Sequence, residues 1–222
     1  DSLPAIYIIK SSDNKIQLFT YNFILSSGNY VHCGIIKLLK KNIIIRLTDN
    51  SNSITDPVNK ILNQNNWFGA VYYNIITHRY GKRKVYILLG LNANNLVTNY
   101  KIIEPLQIID NSAMFGMSLF KFPESKHKIQ KRIIFEYSDN YQFNLRYDPK
   151  KDIISFDHIA SLDSSSTIII PQFLGPDLSI DAFVRKKNRW IYTPDIDARN
   201  KKTPLDNRKI TPPPTNLIYQ KK

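Results

Sequence analysis

Short strand-like runs separated by polar turns are the feature that most constrains this chain. The runs are rich in Ile, Val, Tyr and Phe, and Gly, Asn, Asp and Pro lie between them. This spacing predicts hairpins in an all-β, largely antiparallel meander that forms a sandwich or a barrel-like domain. The predicted strands are Ile6–Lys10, Ile16–Phe23, Tyr30–Leu38, Ile43–Thr48, Trp67–Thr77, Lys84–Leu91, Tyr100–Ile109, Met114–Phe122, Ile129–Ser138, Tyr141–Tyr147, Asp152–His158, Thr167–Ile170, Ile180–Arg185 and Arg189–Thr193.

The stretch from Asn66 to Gly90 predicts a hairpin that is covered on both faces. With a period of two, Trp67, Val71 and Tyr73 share one face, and Tyr72 and Ile76 share the other. Both faces are largely apolar, which is typical of a strand between two layers. The next strand alternates in the same way. The predicted core therefore includes Trp67, Val71, Tyr73, Ile87, Leu89, Ile134 and Phe135.

The chain divides into an all-β domain over 1–197, with a subdivision possible near 50–65, and a tail over 198–222. One short helix is expected at "TDPVNKILNQ", where Thr55 or Asp56 could cap the helix and Pro57 could take its first position. The tail has three consecutive prolines and a strongly basic composition, which is typical of an extended segment.

The net charge of +13 indicates a protein that meets polyanions. A second explanation is also open, because the Ile, Asn and Lys content is what an AT-rich genome favours. No apolar run approaches the roughly 18 residues that a transmembrane helix needs.

Cofactor and metal chemistry has little support in the sequence. Cys33 is the only cysteine, so neither an internal disulfide nor a cysteine zinc site can form. The four histidines are scattered singly and match no metal-binding spacing. We therefore expect no cofactor and no metal.

One alternative interpretation is that the protein is an enzyme. Asp157 and His158 adjoin each other in a predicted strand, but neighbours in a strand point to opposite faces and cannot bond directly. A hydrolase or carbohydrate-active enzyme could use Asp157, His158 and Asp181, with Arg146 positioning an anionic group. The other reading treats these carboxylates as structural.

A basic rim is the second candidate site. Successive turns of a meander lie at opposite ends of its strands. The turns at "PESKHK" and "DPKKD" would then share one end, and Asp139 would lie at the other. The predicted binding residues are Lys126, Lys128, Lys150 and Lys151 at this rim, together with Arg146. Lys82, Arg83, Lys84, Lys186 and Lys187 are possible extensions of the rim.

Several runs, in order, resemble a family of uncharacterised exported proteins of Bacteroidetes. They are "NWFGAVYYNII", "YILLGLNANN", "YKIIEPL", "RIIFEY", "LRYD", "ISFDHI", "FLGPDLSIDAF" and "RWIYTPDIDARN". The resemblance implies a cell-envelope protein in the periplasm or at the outer membrane, and it implies no reaction. A first residue of Asp1 fits a chain whose signal peptide has been removed. We therefore expect a non-enzymatic protein that binds an envelope protein or an anionic surface. Peripheral contact with a membrane is compatible with this expectation, whereas nucleic acid is a disfavoured partner.

Overall fold

The protein is built of β-strands, as the sequence predicts. The structure, a computed structural model, describes residues 6–123, 129–161 and 170–197. The strands are β1 (Tyr7–Lys10), β2 (Ile16–Ile24), β3 (Tyr30–Leu38), β4 (Ile43–Thr48), β5 (Leu62–Asn63), β6 (Val71–Tyr80), β7 (Arg83–Asn92), β8 (Thr98–Ile109), β9 (Ser112–Phe115), β10 (Phe120–Lys121), β11 (Ile129–Gln130), β12 (Ile133–Ser138), β13 (Leu145–Asp148), β14 (Ile153–Ser161), β15 (Leu174–Lys186) and β16 (Arg189–Thr193).

The strands form three sheets. The first sheet is an antiparallel meander of β1, β2, β3 and β4. The central sheet has the order β5-β9-β8-β7-β6, and β12 pairs with the first half of β8. The third sheet has the order β11-β10-β16-β15-β14-β13, in which β10 and β16 run parallel.

The central sheet is covered on both faces. One core packs Ile16, Leu18 and Ile36 of the first sheet against central-sheet side chains such as Leu88. On the opposite face, a second core packs the central sheet against the third sheet, where Phe183 and Trp190 are fully buried. The layers are therefore stacked in the order first, central, third.

Strand β7 follows the predicted alternation. Val85, Ile87 and Leu89 belong to the second core, whereas Tyr86 and Leu88 belong to the first. All five are buried, because each face of this strand meets another layer. The prediction of a two-sided hairpin strand is confirmed.

Strand β6 departs from the predicted faces. The register with β7 shifts between Tyr72 and Asn74, which marks a β-bulge. Tyr72 packs in the first core, while Tyr73 and Ile76 pack against the second. The expectation that Tyr72 and Ile76 share a face is therefore wrong, because the extra residue reverses the alternation.

The predicted core is largely correct. Trp67, Val71, Ile87 and Leu89 are buried. The remaining three, Tyr73, Ile134 and Phe135, are half-buried and pack at the margins of the two cores.

The predicted helix near Thr55 does not form. The described residues hold only two short 3-10 turns, Ser51–Ser53 and Pro171–Phe173. Asp56 has a φ of 51°, which breaks a helical path, and Leu62 is drawn into the first core as part of β5. None of the described helices has the length and apolar character needed to cross a bilayer.

The simple meander after Met114 is also wrong. The polar run at Asp139 connects β12 of the central sheet to β13 of the third sheet, so it crosses between layers instead of closing a hairpin. Lys126, Lys128, the predicted strand Thr167–Ile170 (apart from Ile170) and the tail at 198–222 lie outside the described residues.

Candidate functional site

The β6–β7 hairpin places three cations at one end of the central sheet. Gly81 occupies the turn with a φ of 59°, and Lys82, Arg83 and Lys84 follow it. The side chain of Lys84 reaches the first sheet, where its Nζ lies 2.5 Å from Oδ2 of Asp13. The β6–β7 turn of the central sheet therefore lies beside the turn between β1 and β2 of the first sheet.

Turns of the first sheet bring further cations to this end. Lys15 immediately precedes β2, and Lys40 and Lys41 follow β3. The backbone N–H of Leu39 donates to the carbonyl oxygen of Lys15 at 2.8 Å, which holds the two turns together. Lys41 donates to Oδ1 of Asn111, in the turn between β8 and β9, at 2.8 Å.

The third sheet adds two basic turns. Lys150 and Lys151 lie between β13 and β14, and Lys186 and Lys187 lie at the turn between β15 and β16. The ion pair between Arg185 and Asp152 joins these turns.

A contact between layers shows that these turns lie at the same end as the β6–β7 hairpin. Nε2 of His78, two residues before the end of β6, lies 3.3 Å from the carbonyl oxygen of Asn188. The His78 and Trp190 rings also pack with their centroids 5.8 Å apart. The turns of all three sheets therefore meet at one end of the layers.

We call this surface the basic end. It comprises Lys15, Lys40, Lys41, Lys82, Arg83, Lys84, Lys150, Lys151, Lys186, Lys187 and Arg189. The carboxylates at the same end are Asp13, Asp110, Asp148 and Asp152. Asp13 forms an ion pair with Lys84, and Asp152 forms an ion pair with Arg185. The cations thus outnumber the carboxylates, and two of the four carboxylates are already paired.

Two acidic residues, Glu136 and Asp139, lie at the opposite end of the layers. Glu136 lines a cleft there with Gly28, Leu96 and Pro171, which belong to turns of all three layers. Asp139 is held there by its backbone N–H, which donates to the carbonyl oxygen of Val97 at 2.9 Å. The sequence-based prediction also placed Asp139 at the end opposite Lys150 and Lys151.

Arg146 lies away from the basic end, in a cleft on the third sheet. The cleft measures about 530 Å³ and is shared with Ser179, Asp195 and Asp197. Arg146 is exposed and pairs in register with Ser155 of β14. The described residues of this cleft include carboxylates and none of the lysines with which Arg146 was predicted to bind.

The structure brings His158 and Asp181 together. Nδ1 of His158 lies 2.7 Å from Oδ2 of Asp181, which is 3% exposed. Tyr192 donates to the same carboxylate oxygen at 2.6 Å, and the N–H of Asp195 donates to Oδ1 at 3.0 Å. The pairing of β14 with β15 is irregular between Asp157 and Ile159, on either side of His158.

These contacts shift the pKa values of the pair in opposite directions. The hydrogen bond from His158 to Asp181 raises the pKa of the histidine. Burial tends to raise the pKa of Asp181, but the hydrogen bonds from Tyr192, His158 and Asp195 outweigh it and lower that pKa. A half-exposed histidine held by a carboxylate can exchange protons with a bound molecule.

Asp157 is not part of this cluster. Its Oδ2 accepts hydrogen bonds from the backbone N–H and from the side-chain amide of Asn144, at 2.7 and 2.9 Å. None of the described residues forms a group of three or more potential metal ligands. The arrangement is a histidine–carboxylate pair whose carboxylate also accepts a hydrogen bond from Tyr192.

Sequence reasoning missed Lys15, Lys40 and Lys41 as members of a site. The signal was present, because these lysines lie in turns at the same end of consecutive antiparallel strands. The packing of the first sheet on the central sheet could not be read from the sequence.

Comparisons with known proteins give no relative from which a role could be transferred. No family model, no curated protein and no solved structure matches the chain.

Proposed function

We propose that this protein is a non-enzymatic binding protein that docks through its basic end onto an anionic surface of the cell envelope. The observation that carries the proposal is the convergence of basic turns from three sheets at one end, while Glu136 and Asp139 lie at the other. The envelope location rests on the sequence resemblance and is part of the proposal.

The physical basis is long-range attraction. Each Lys or Arg held near an anionic lipid surface contributes about 1 kcal/mol, and the contributions fall off within a Debye length of about 8 Å at physiological salt. Cations on the turns of stacked layers can approach one surface together. An acidic face of an envelope protein is the other target that this charge pattern fits.

Co-sedimentation with vesicles tests the docking. Vesicles of phosphatidylcholine with phosphatidylglycerol should bind the protein, vesicles of phosphatidylcholine alone should not, and added salt should weaken binding. The double reversal K82E/K151E, which changes the central and third sheets, should abolish the binding. The control R46E/K60E removes the same charge from exposed positions away from the basic end and should retain most of it. Equal loss in the two variants would contradict a localised docking surface.

A second candidate function is a hydrolase or carbohydrate-active enzyme. The observation that favours it is the 2.7 Å contact between His158 and Asp181, in which the buried carboxylate would orient the imidazole. D181N should then remove any hydrolytic activity of the protein, whereas the matched variant D157N should keep it. Activity that survives D181N would exclude this cluster.

A further inference from the structure

A cleft within the basic end has its own chemistry. It lies between the ends of the first and central sheets and has a volume of about 310 Å³. Four lysines from three segments line it: Lys15, Lys40, Lys41 and Lys84. We call it the lysine cleft. Asp110 is the only carboxylate among its described lining residues.

The charges of these lysines are unevenly neutralised. Lys84 is paired with Asp13, whose pKa shows how strongly the carboxylate is held: burial opposes ionisation, but hydrogen bonds from Lys84 and Ser11 lower the pKa to about 2. Within the described part of the chain, the ammonium group of Lys41 is bonded only to the neutral amide of Asn111, and the ammonium groups of Lys15 and Lys40 have no bonding partner. The cleft therefore holds more positive charge than its own carboxylates can balance.

The wall behind the lysines is apolar. Ile16, Leu38 and Tyr86 are buried, and Ile108 is partly exposed. The hydroxyl of Tyr86 donates to Oδ2 of Asp13 at 3.2 Å, so its polar end is occupied. This wall offers an apolar contact surface beside the lysines.

These features point to one class of ligand. Lysine is a common phosphate ligand because its ammonium group acts as a point charge, and several lysines can surround one tetrahedral anion. The four lysines are the only cations among the described residues that line the cleft. The volume is at the lower limit of the roughly 300–1,000 Å³ found for small-molecule sites. The ligand is therefore small.

We propose that the lysine cleft binds a phosphate monoester whose apolar group packs against Tyr86 and Ile108. The inference rests on the proposed function, because it assigns a specific ligand group to the end that docks on anions. The phosphate monoester could be a lipid headgroup or a soluble metabolite, and the chemistry recognised is the same.

Octyl phosphate, kept below its micelle concentration, is a suitable probe for calorimetric titration. The wild-type chain should bind one molecule, at least tenfold more tightly than it binds inorganic phosphate or octyl glucoside. K15Q/K40Q should weaken octyl phosphate binding at least tenfold, since it removes the two unpaired cations of the lysine cleft. K150Q/K151Q removes the same charge elsewhere on the basic end and should change it less than twofold. Unchanged melting temperatures would show that both variants fold.

Equal binding of octyl phosphate by wild type and K15Q/K40Q would overturn the lysine cleft, as would equal weakening by the two variants. Loss of phosphatidylglycerol binding by K82E/K151E would still support docking in either case, so the two proposals can fail separately.

Vesicles containing phosphatidic acid distinguish a lipid headgroup from a soluble phosphate ester as the source of the ligand. Weaker vesicle binding by K15Q/K40Q would support the lysine cleft with a lipid headgroup, and unchanged vesicle binding with weakened octyl phosphate binding would support it with a soluble ester.

Discussion

Gly69 connects local backbone conformation to the packing of the first core. It has a φ of 70°, a conformation that side chains with a Cβ rarely adopt. A Cβ built at this position would lie 2.5 Å from Oδ1 of Asp49. That carboxylate accepts hydrogen bonds from both the backbone and the ring of buried His32, each at 2.9 Å. The absence of a side chain at Gly69 therefore allows Asp49 to fasten β3 to the end of β4.

Gly69→Ala should destabilise the fold more than Gly81→Ala. Both residues have positive φ, which costs about 1–2 kcal/mol for a residue with a Cβ. No described atom lies within 4 Å of the Cβ position at Gly81, so that variant should pay only the conformational cost. Gly69→Ala adds the clash with Asp49, and we expect about 1–3 kcal/mol more. Urea unfolding checks this, and equal losses in the two variants would contradict it.

Glu104 and Arg132 form an ion pair that is fully buried. Arg132 Nε lies 2.6 Å from Oε2 of Glu104, and both side chains are 0% exposed. The guanidinium also donates to the carbonyl oxygen of Pro57, which ties the loop before β5 to β12. Burial raises the pKa of Glu104, and Arg132 partly offsets this. Removing one partner would leave a buried group without its counter-charge.

E104Q should cost about 3–5 kcal/mol of unfolding free energy, because Arg132 would remain buried and charged. Adding R132M to E104Q should recover part of the loss. As a comparison, D152N breaks the partly exposed pair with Arg185 and should cost no more than about 1 kcal/mol. Thermal or urea unfolding measures all three variants. A loss for E104Q no larger than that for D152N would show that this pair contributes little.

At the scale of single elements, the sequence predicted strands better than their partners. Tyr30–Leu38, Ile43–Thr48 and Arg189–Thr193 have the predicted bounds, because alternation and turn residues are local signals. The bulge in β6 and the irregularity beside His158 depend on tertiary pairing and were not predictable. The sequence named His158 and Asp181 for one hypothetical site, but their contact depends on how β14 pairs with β15, which sequence spacing does not predict.

The contact between His158 and Asp181 should make the segment after β16 sensitive to pH. The raised pKa of His158 means that its contribution is complete below the ordinary histidine pKa of about 6.5 and is lost as pH rises through the folded value. The lowered pKa of Asp181 means that its contribution is present above about pH 4 and is lost as pH falls further. The cluster is therefore strongest between those limits.

Hydrogen exchange at Asp195 measures this dependence, because its N–H donates to Asp181. The protection factor should fall roughly two- to fivefold from pH 6 to pH 8.5, a small effect because His158 is partly exposed. H158Q should remove the dependence. The amide of Val184, in the paired interior of β15, serves as the internal control and should not change. A wild-type protection factor that stays constant would contradict the coupling.

At the scale of the whole molecule, the order of the layers decides where the charge lies. The lysine-rich turns were visible in the sequence, but a meander grouped Lys150 and Lys151 with the turn that holds Lys126 and Lys128. Lys126 and Lys128 lie outside the described residues, so that grouping stays a prediction. The stacking brings Lys150 and Lys151 to the end occupied by the β6–β7 hairpin, through the contact of His78 with Asn188. Which turns share an end depends on packing between sheets, which alternation within strands does not encode.

This charge asymmetry predicts orientation-dependent retention on a cation-exchange surface. A protein with its cations spread evenly would lose the same retention whichever two were reversed, since the net charge is equal. Here K82E/K151E should lower the salt concentration at elution clearly more than R46E/K60E does. The resin contacts the basic end first, and salt screens charges that lie farther than about 10 Å from the resin. Identical elution of the two variants would mean that the turns do not act as one surface.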